Sequence, residues 1–172
     1  MSRPAPFTAP RYELQLANEG CGELLIEPLL TSEAHRLGAA FAAIDPWAAY
    51  GYPASALSAY FAAHEPGAPR FTLKLDGDIA GVAGMRLGWL RGPYLQFLAF
   101  LPEFQGRGLG SAVLAWLERE ARAGNERNLW VAAAEINLGA IRLYERHGFT
   151  QTARLDGLVY DERTEILLRK RL

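Results

Sequence analysis

The sequence predicts a mixed α/β domain in which a mostly antiparallel sheet is flanked by helices. Three observations carry this reading. Strand-like apolar runs alternate with stretches of helical spacing, Asp76-Gly77 joins two such runs as a strong hairpin signal, and a glycine-rich turn leads from a strand-like run straight into a helix-like one. With 172 residues, half of them apolar, the chain is long enough for one domain with a full core and too short for two of ordinary size. Residues 21–172 are expected to form that domain. Residues 1–20, with Pro4, Pro6 and Pro10, read as an N-terminal extension in which Tyr12, Leu14 and Leu16 alternate as a short strand would.

Residues 23–30 are apolar and strand-like, and Thr31-Ser32-Glu33 then offers an N-cap followed by an acidic first turn. The helix that follows runs to about Ile44 with Leu37, Ala40, Phe41 and Ile44 inward. Asp45-Pro46 ends it, because the residue before a proline is pushed out of the helical region. A second helix covers residues 55–63. Residues 70–75 and 79–90 pair across Asp76-Gly77, and Arg91-Gly92-Pro93 turns the chain into a third strand at 94–101, stopped by Pro102. Leu109, Ala112, Val113, Trp116 and Leu117 recur at helical spacing, closed near Ala123 by Gly124-Asn125. Residues 128–134 form a strand, 138–147 a short helix capped by Gly148, and 149–155 with 165–171 a final hairpin. The order is βααβββαβαββ.

Composition excludes several classes of function. A net charge of -1 gives no general attraction to nucleic acid. The single cysteine, Cys21, forbids an intrachain disulfide, and no cluster of Cys and His has the spacing of a metal site. His35 and His64 stand in polar helical contexts, and His147 precedes a capping glycine, where a cation suits the helix dipole. No apolar run is long enough to span a membrane, and residues 1–20 lack the apolar stretch of a secretory signal. A reduced, cytoplasmic setting fits, as monomer or homodimer.

The densest chemical signal is FLPEFQGRGLGS at residues 100–111. Glycines at 106, 108 and 110 let the backbone approach a ligand closely. The first amides of the following helix have no intrahelical acceptor, and the helix dipole favours an anion there. The segment is a candidate phosphate cradle. No Lys-Ser or Lys-Thr follows the glycines, which excludes a P-loop, and the GxGxxG fingerprint is not matched. A plain strand-to-helix turn explains the glycines as well.

A second pattern, downstream, resolves that choice. Gln105, Gly108 and Gly110, preceded by Pro102-Glu103-Phe104, match the acetyl-CoA motif Gln/Arg-x-x-Gly-x-Gly/Ala. Asn137, Ala140, Tyr144, Gly148 and Phe149 match Asn-x-x-Ala-x-x-x-Tyr-x-x-x-Gly-Phe. On these two signatures the sequence resembles the GCN5-related N-acetyltransferase (GNAT) family over about residues 24–172. The resemblance implies the GNAT fold, in which the fourth and fifth strands of the order above splay apart, and acetyl-CoA as co-substrate with no metal. It implies that the amides of Gln105, Gly106, Arg107, Gly108, Leu109, Gly110 and Ser111 hold the pyrophosphate, with the Arg107 side chain beside it. The backbone of Leu98, Ala99 and Phe100 would pair with the pantetheine arm, and Asn137 would bond to that arm or to a water. Tyr144 takes the family position of the acid that protonates the leaving thiolate; packing of Tyr144 in a core stripe with Ala140 and Leu143 is the competing reading. An N–H of Leu98 or Phe100 would polarise the thioester carbonyl.

The acceptor is less determined. Deprotonating a lysine amine at neutral pH costs about 4–5 kcal/mol and a protein α-amine about 1 kcal/mol, so the need for a base depends on the acceptor. Some relatives that acetylate protein N-termini carry a glutamate where this chain has Ala132. Glu135 at the strand end and Glu103 beside the loop are the available carboxylates, with Glu135 the candidate base; solvated carboxylates are the competing reading, and Gln96 cannot act as a base. Asp45, Trp47, Tyr50 and Tyr52, with Tyr160 and Asp161 approaching from the last hairpin, could form an aromatic wall for a cationic amine. Equally, Trp47 and Tyr52 pin a loop to the core while Asp45 caps a helix. The expected function is acetyl transfer to a primary amine of a small molecule or peptide by direct attack. A non-catalytic acyl-CoA-binding domain is the alternative.

Overall fold

The computed structural model describes residues 5–16 and 22–172. Cys21 and the first residues of the expected extension lie outside the described residues. Strands β1 (Tyr12–Gln15), β2 (Glu23–Pro28), β3 (Arg70–Leu75), β4 (Asp78–Trp89), β5 (Gly92–Phe100), β6 (Asn128–Ala134), β7 (Thr150–Asp156) and β8 (Thr164–Arg171) form one sheet in the order β1-β2-β3-β4-β5-β6-β8-β7. Helices α1 (Ala34–Ala42) and α2 (Ala54–Ala62) precede β3, α3 (Leu109–Ala123) joins β5 to β6, and α4 (Leu138–Arg146) joins β6 to β7. The order is the one expected, with β1 added as an edge strand paired to β2.

Local chemistry sets the turns. Asp76 and Gly77 both take positive φ, 53° and 91°, the backbone that a tight hairpin between right-twisted strands requires. At the end of α3 the left-handed residue is Asn125, at φ 55°, and the preceding Gly124 is not left-handed. The N–H of Glu126 then reaches back to the Ala121 carbonyl at 3.0 Å. The start of α1 departs from expectation. Residues Thr31–Glu33 form a 3-10 turn, and the Glu33 carboxylate, rather than a Thr or Ser hydroxyl, accepts the Leu30 N–H at 3.2 Å.

Core packing divides between the two faces of the sheet. One cluster gathers the inner stripes of α3 and α4, with Trp116 fully buried and meeting Phe7, Tyr12 and Phe71 edge-on at 5.5, 5.2 and 5.4 Å. The other lies under α1 and α2, where Phe41 and Phe61 meet Phe97 at 5.6 and 5.1 Å. Leu95 and Phe97 share a strand at a spacing of two, yet Leu95 belongs to the first cluster and Phe97 to the second. A β-bulge explains this: Gly84 pairs with Phe97 and Met85 with Leu95, so Gln96 is the extra residue and everything after it is turned over.

Beyond the bulge the sheet opens. Among the described residues β5 and β6 are the only parallel pair, matched at Tyr94↔Trp130 and Leu95↔Val131 and then diverging. At the closed end Gly92 lies so near β6 that a Cβ there would overlap the Asn128 carbonyl. Asn128 Nδ2 and Trp130 Nε1 donate to the Leu90 carbonyl, both at 3.2 Å, and fasten that end further. The splayed pair implied by the resemblance is present.

Candidate active site

The opened edge of β5 supplies one wall of a cleft. Leu101 gives its N–H to Ala80 on β4 at 2.8 Å. Successive strand amides point to opposite sides, so the N–H groups of Phe100 and Leu98 face the gap while that of Ala99 faces β4. Gln105 folds back on the gap side, its Nε2 donating to the Phe100 carbonyl at 2.9 Å. The chain then passes through the glycine turn, with Gly106 at φ 75° and Gly108 at φ 79°, both with open space where a Cβ would stand. α3 makes its first backbone bond from Ala112 to the Gly108 carbonyl at 3.2 Å, which leaves the preceding helical amides free to meet an anion. A cavity of about 700 Å³ lies over this turn, reaching from Phe100 and Gln105 to Asn137, Tyr144 and Arg146.

A second cavity, of about 360 Å³, continues from it under the loop after α1. Trp47, Tyr50, Tyr52, Tyr60 and Tyr94 give it aromatic walls, and Glu165 stands at one end. Trp47 is held by stacking on Phe97 at 4.6 Å. Leu98, Asn137, Ala140 and Tyr144 line both cavities, as do Pro46 and Trp47.

Tyr144 sits where the two spaces meet. It is buried, and that burial, reinforced by Tyr94, raises its hydroxyl above the ordinary tyrosine range, so the phenol holds its proton at neutral pH. Asn137 caps α4, its Oδ1 accepting the Ala140 N–H at 3.1 Å. His147, where a cation suited the helix dipole, is instead disfavoured as a cation: burial, with Lys170 and Arg146 nearby, lowers its pKa, and its Nε2 lies 2.9 Å from Ser111 Oγ.

The structure brings together Leu98, Ala99, Phe100, Gln105, Gly106, Gly108, Leu109, Gly110, Ser111, Asn137 and Tyr144 around the first cavity. Arg107 is exposed, with its guanidinium 5.4 Å over the Phe104 ring, and does not line it. Trp47, Tyr50 and Tyr52 meet in the second cavity. Asp45 does not join them; it lines the first cavity and its carboxylate accepts the Ala49 N–H at 3.1 Å. Tyr160 stands behind Tyr50, edge-on at 5.7 Å. Glu135 lies outside both cavities, exposed and paired with Arg154.

The carboxylate that does enter the second cavity is Glu165. Ala134 pairs with Glu165 and Ala132 with Leu167, so Glu165 projects from the same face as position 132, one strand over. Tyr50 donates its hydroxyl to Glu165 Oε1 at 2.9 Å. Burial raises the Glu165 carboxyl above the usual range, partly offset by that bond. Burial and the carboxylate together push Tyr50 up to about 12. Neither Glu165 nor Arg146 was legible as a site residue. In the sequence Glu165 reads as a polar strand end, and Arg146 as a solvated cation in the last turn of α4.

Comparison with known proteins agrees with this geometry. The chain is 29% identical over 86 residues to a streptothricin acetyltransferase of Streptomyces lavendulae, covering 49% of this chain and 45% of that protein. It spans about half the length of the curated relatives it matches. A crystal structure of nourseothricin acetyltransferase superposes with a TM-score of 0.56 at 27% identity, over 62% of this chain and 66% of the other. A GNAT family acetyltransferase from Elizabethkingia anophelis, solved with acetyl-CoA bound, has a TM-score of 0.57 at 19% identity, over 62% of this chain and 77% of that one; it shows the fold alone. The model of the Acetyltransferase (GNAT) family matches residues 29–149, well over half of the sequence. The chain belongs to the acetyltransferase (GNAT) family.

Proposed function

We propose that the protein is an acetyl-CoA-dependent N-acetyltransferase that acetylates a primary amine of a small molecule or peptide by direct attack in a ternary complex. The observation that carries this reading is the position of Tyr144, one neutral phenol at the junction of a phosphate-cradling cavity and an aromatic one. Acetyl-CoA, when bound, supplies a thioester activated for acyl transfer. The residues present fit it. Gly106 and Gly108 leave room for a pyrophosphate against the free amides of the turn, and Arg146 adds a cation at that cavity's rim.

Each remaining task has a group placed for it. The gap-facing N–H groups of Leu98 and Phe100 are the donors for the acyl oxygen and the pantetheine amides. Tyr144 gives its proton to the departing sulfur. Burial keeps the phenol neutral and also makes it a weaker acid, so the transfer to a thiolate of ordinary pKa, about 8.5, is uphill and is completed when the attacking nitrogen returns a proton to the phenolate. A cytoplasmic setting accords with the single cysteine.

The test is a panel of amines, peptides and antibiotics, including the two antibiotics for which the relatives are named, assayed for thiol release from acetyl-CoA. Turnover with at least one amine supports the reading. Calorimetric binding of acetyl-CoA without thiol release across the panel overturns it in favour of a binding domain.

A further inference from the structure

The aromatic cavity has one acidic side chain in its lining, and among the described residues no cation pairs with it. Glu165 is 8% exposed, and its partner is a neutral phenol, Tyr50, not a cation. Arg163, on the same hairpin, lies 5.3 Å over the Tyr50 ring. Tyr94 and Tyr144 are the other ionisable groups that line the cavity with Tyr52 and Tyr60, and Tyr160 stands behind Tyr50. A buried carboxylate without a cation is unfavourable in the free protein, and aromatic faces attract cations. Charge and shape therefore ask for the same missing group.

Building on the acetyltransferase reading above, we propose that this cavity takes its acceptor as a protonated primary amine, with Glu165 as counter-ion and proton acceptor. The Tyr50 hydroxyl is the group that the ammonium displaces. One proton passes from the ammonium nitrogen to Glu165 Oε1 and later to solvent. The freed lone pair forms the C–N bond to the acetyl carbon as the C–S bond breaks. The sulfur takes the Tyr144 hydroxyl proton, and the nitrogen's second proton restores it. The sum is an amide, a free thiol and one proton released. Burial of Glu165 favours this exchange by bringing its proton affinity nearer to that of the amine. It also explains how a chain with Ala132 manages without a carboxylate at that position: the neighbouring strand provides one.

The experiment uses Glu165→Gln in the full chain, with thermal unfolding to confirm that it is folded. On the best strongly basic amine of the panel, kcat/KM should fall by about 100-fold or more. On trifluoroethylamine, which is largely neutral at pH 7.5, the loss should be less than about fivefold, since little deprotonation is needed. Tyr50→Phe should move the acid limb of the rate profile to higher pH, because the lost hydrogen bond was holding the carboxyl down. Calorimetry without acetyl-CoA provides a second readout: the wild type should bind phenethylammonium at least about tenfold more tightly than 2-phenylethanol, and Glu165→Gln should erase the difference. Equal losses on both amines, or unchanged discrimination between ammonium and alcohol, would overturn the proposal. Absence of turnover by the wild type on every amine would instead overturn the acetyltransferase reading, while the ammonium-over-alcohol comparison would still decide the role of Glu165.

Discussion

The two cavities meet at Tyr144 but are built from different materials. The one over the glycine turn is made mostly of backbone: gap-facing amides of β5, positive-φ glycines and the free N–H groups of α3. The aromatic one is made of side chains carried in from segments far apart in the sequence, at 46–52, 94–98, 132–134 and 158–165. A site made of main chain asks little of residue type beyond glycine where φ is positive, so it can be held constant for one ligand. A site made of side chains can be rewritten a residue at a time, which suits the half that, in the proposed function, must tell one amine from another.

That contrast can be broken by substitution. Tyr144→Phe acts at the junction and should have the largest effect, lowering kcat by about 100-fold or more while the dissociation constant for acetyl-CoA stays within about threefold. An unchanged kcat on a good acceptor would remove the acid role. Gly108→Val tests the backbone half. Its Cβ clashes with nothing in the free protein, so the effects expected are about 1–2 kcal/mol of strain from the left-handed φ and a weakening of acetyl-CoA binding by about tenfold or more, read by calorimetry. Retained affinity would show that the turn is only a turn.

Trp47→Ala tests the side-chain half and should raise the acceptor KM by several-fold. It should also lower stability by about 2 kcal/mol, because Trp47 stacks on Phe97 as well as lining the cavity. The smallest effect concerns pH. Glu165 has a raised pKa in the folded state, so the native protein binds more protons than the unfolded chain just above the ordinary carboxylate range. Its contribution therefore turns unfavourable as pH rises from about 4.5 through the folded pKa, and Glu165→Gln should flatten thermal stability across that window. A steeper profile in the variant would contradict the burial argument.

The same contrast explains what the sequence disclosed. The elements of the sheet and the glycine turn were legible because each rests on local rules: hairpin residues, helical spacing, glycines at fixed offsets. The candidate roles of the turn and of Tyr144 came from the two family signatures. Asp76-Gly77 and Gly148 announce their turns by residue type alone. Glu165 was illegible because its strand face, Glu165, Leu167 and Arg169, is mixed in polarity and reads as solvent-facing. What makes it internal is register with Ala134 and the arrival of Tyr50 from a loop 115 residues away. Glu135, by contrast, looked well placed beside Asn137, and only the third dimension shows it turned outward to Arg154.

Gly92 has a consequence at a distance. It stands at the closed end of the seam between β5 and β6, where that sheet is narrowest, and neither cavity includes it. The two halves of the sheet are joined most closely here, as pages are at a spine. A single methyl there would meet the Asn128 carbonyl and press the two strands apart at their joined end, away from every residue that lines the two cavities. The close approach of β5 to β6 thus rests on a residue whose sole qualification is having no side chain.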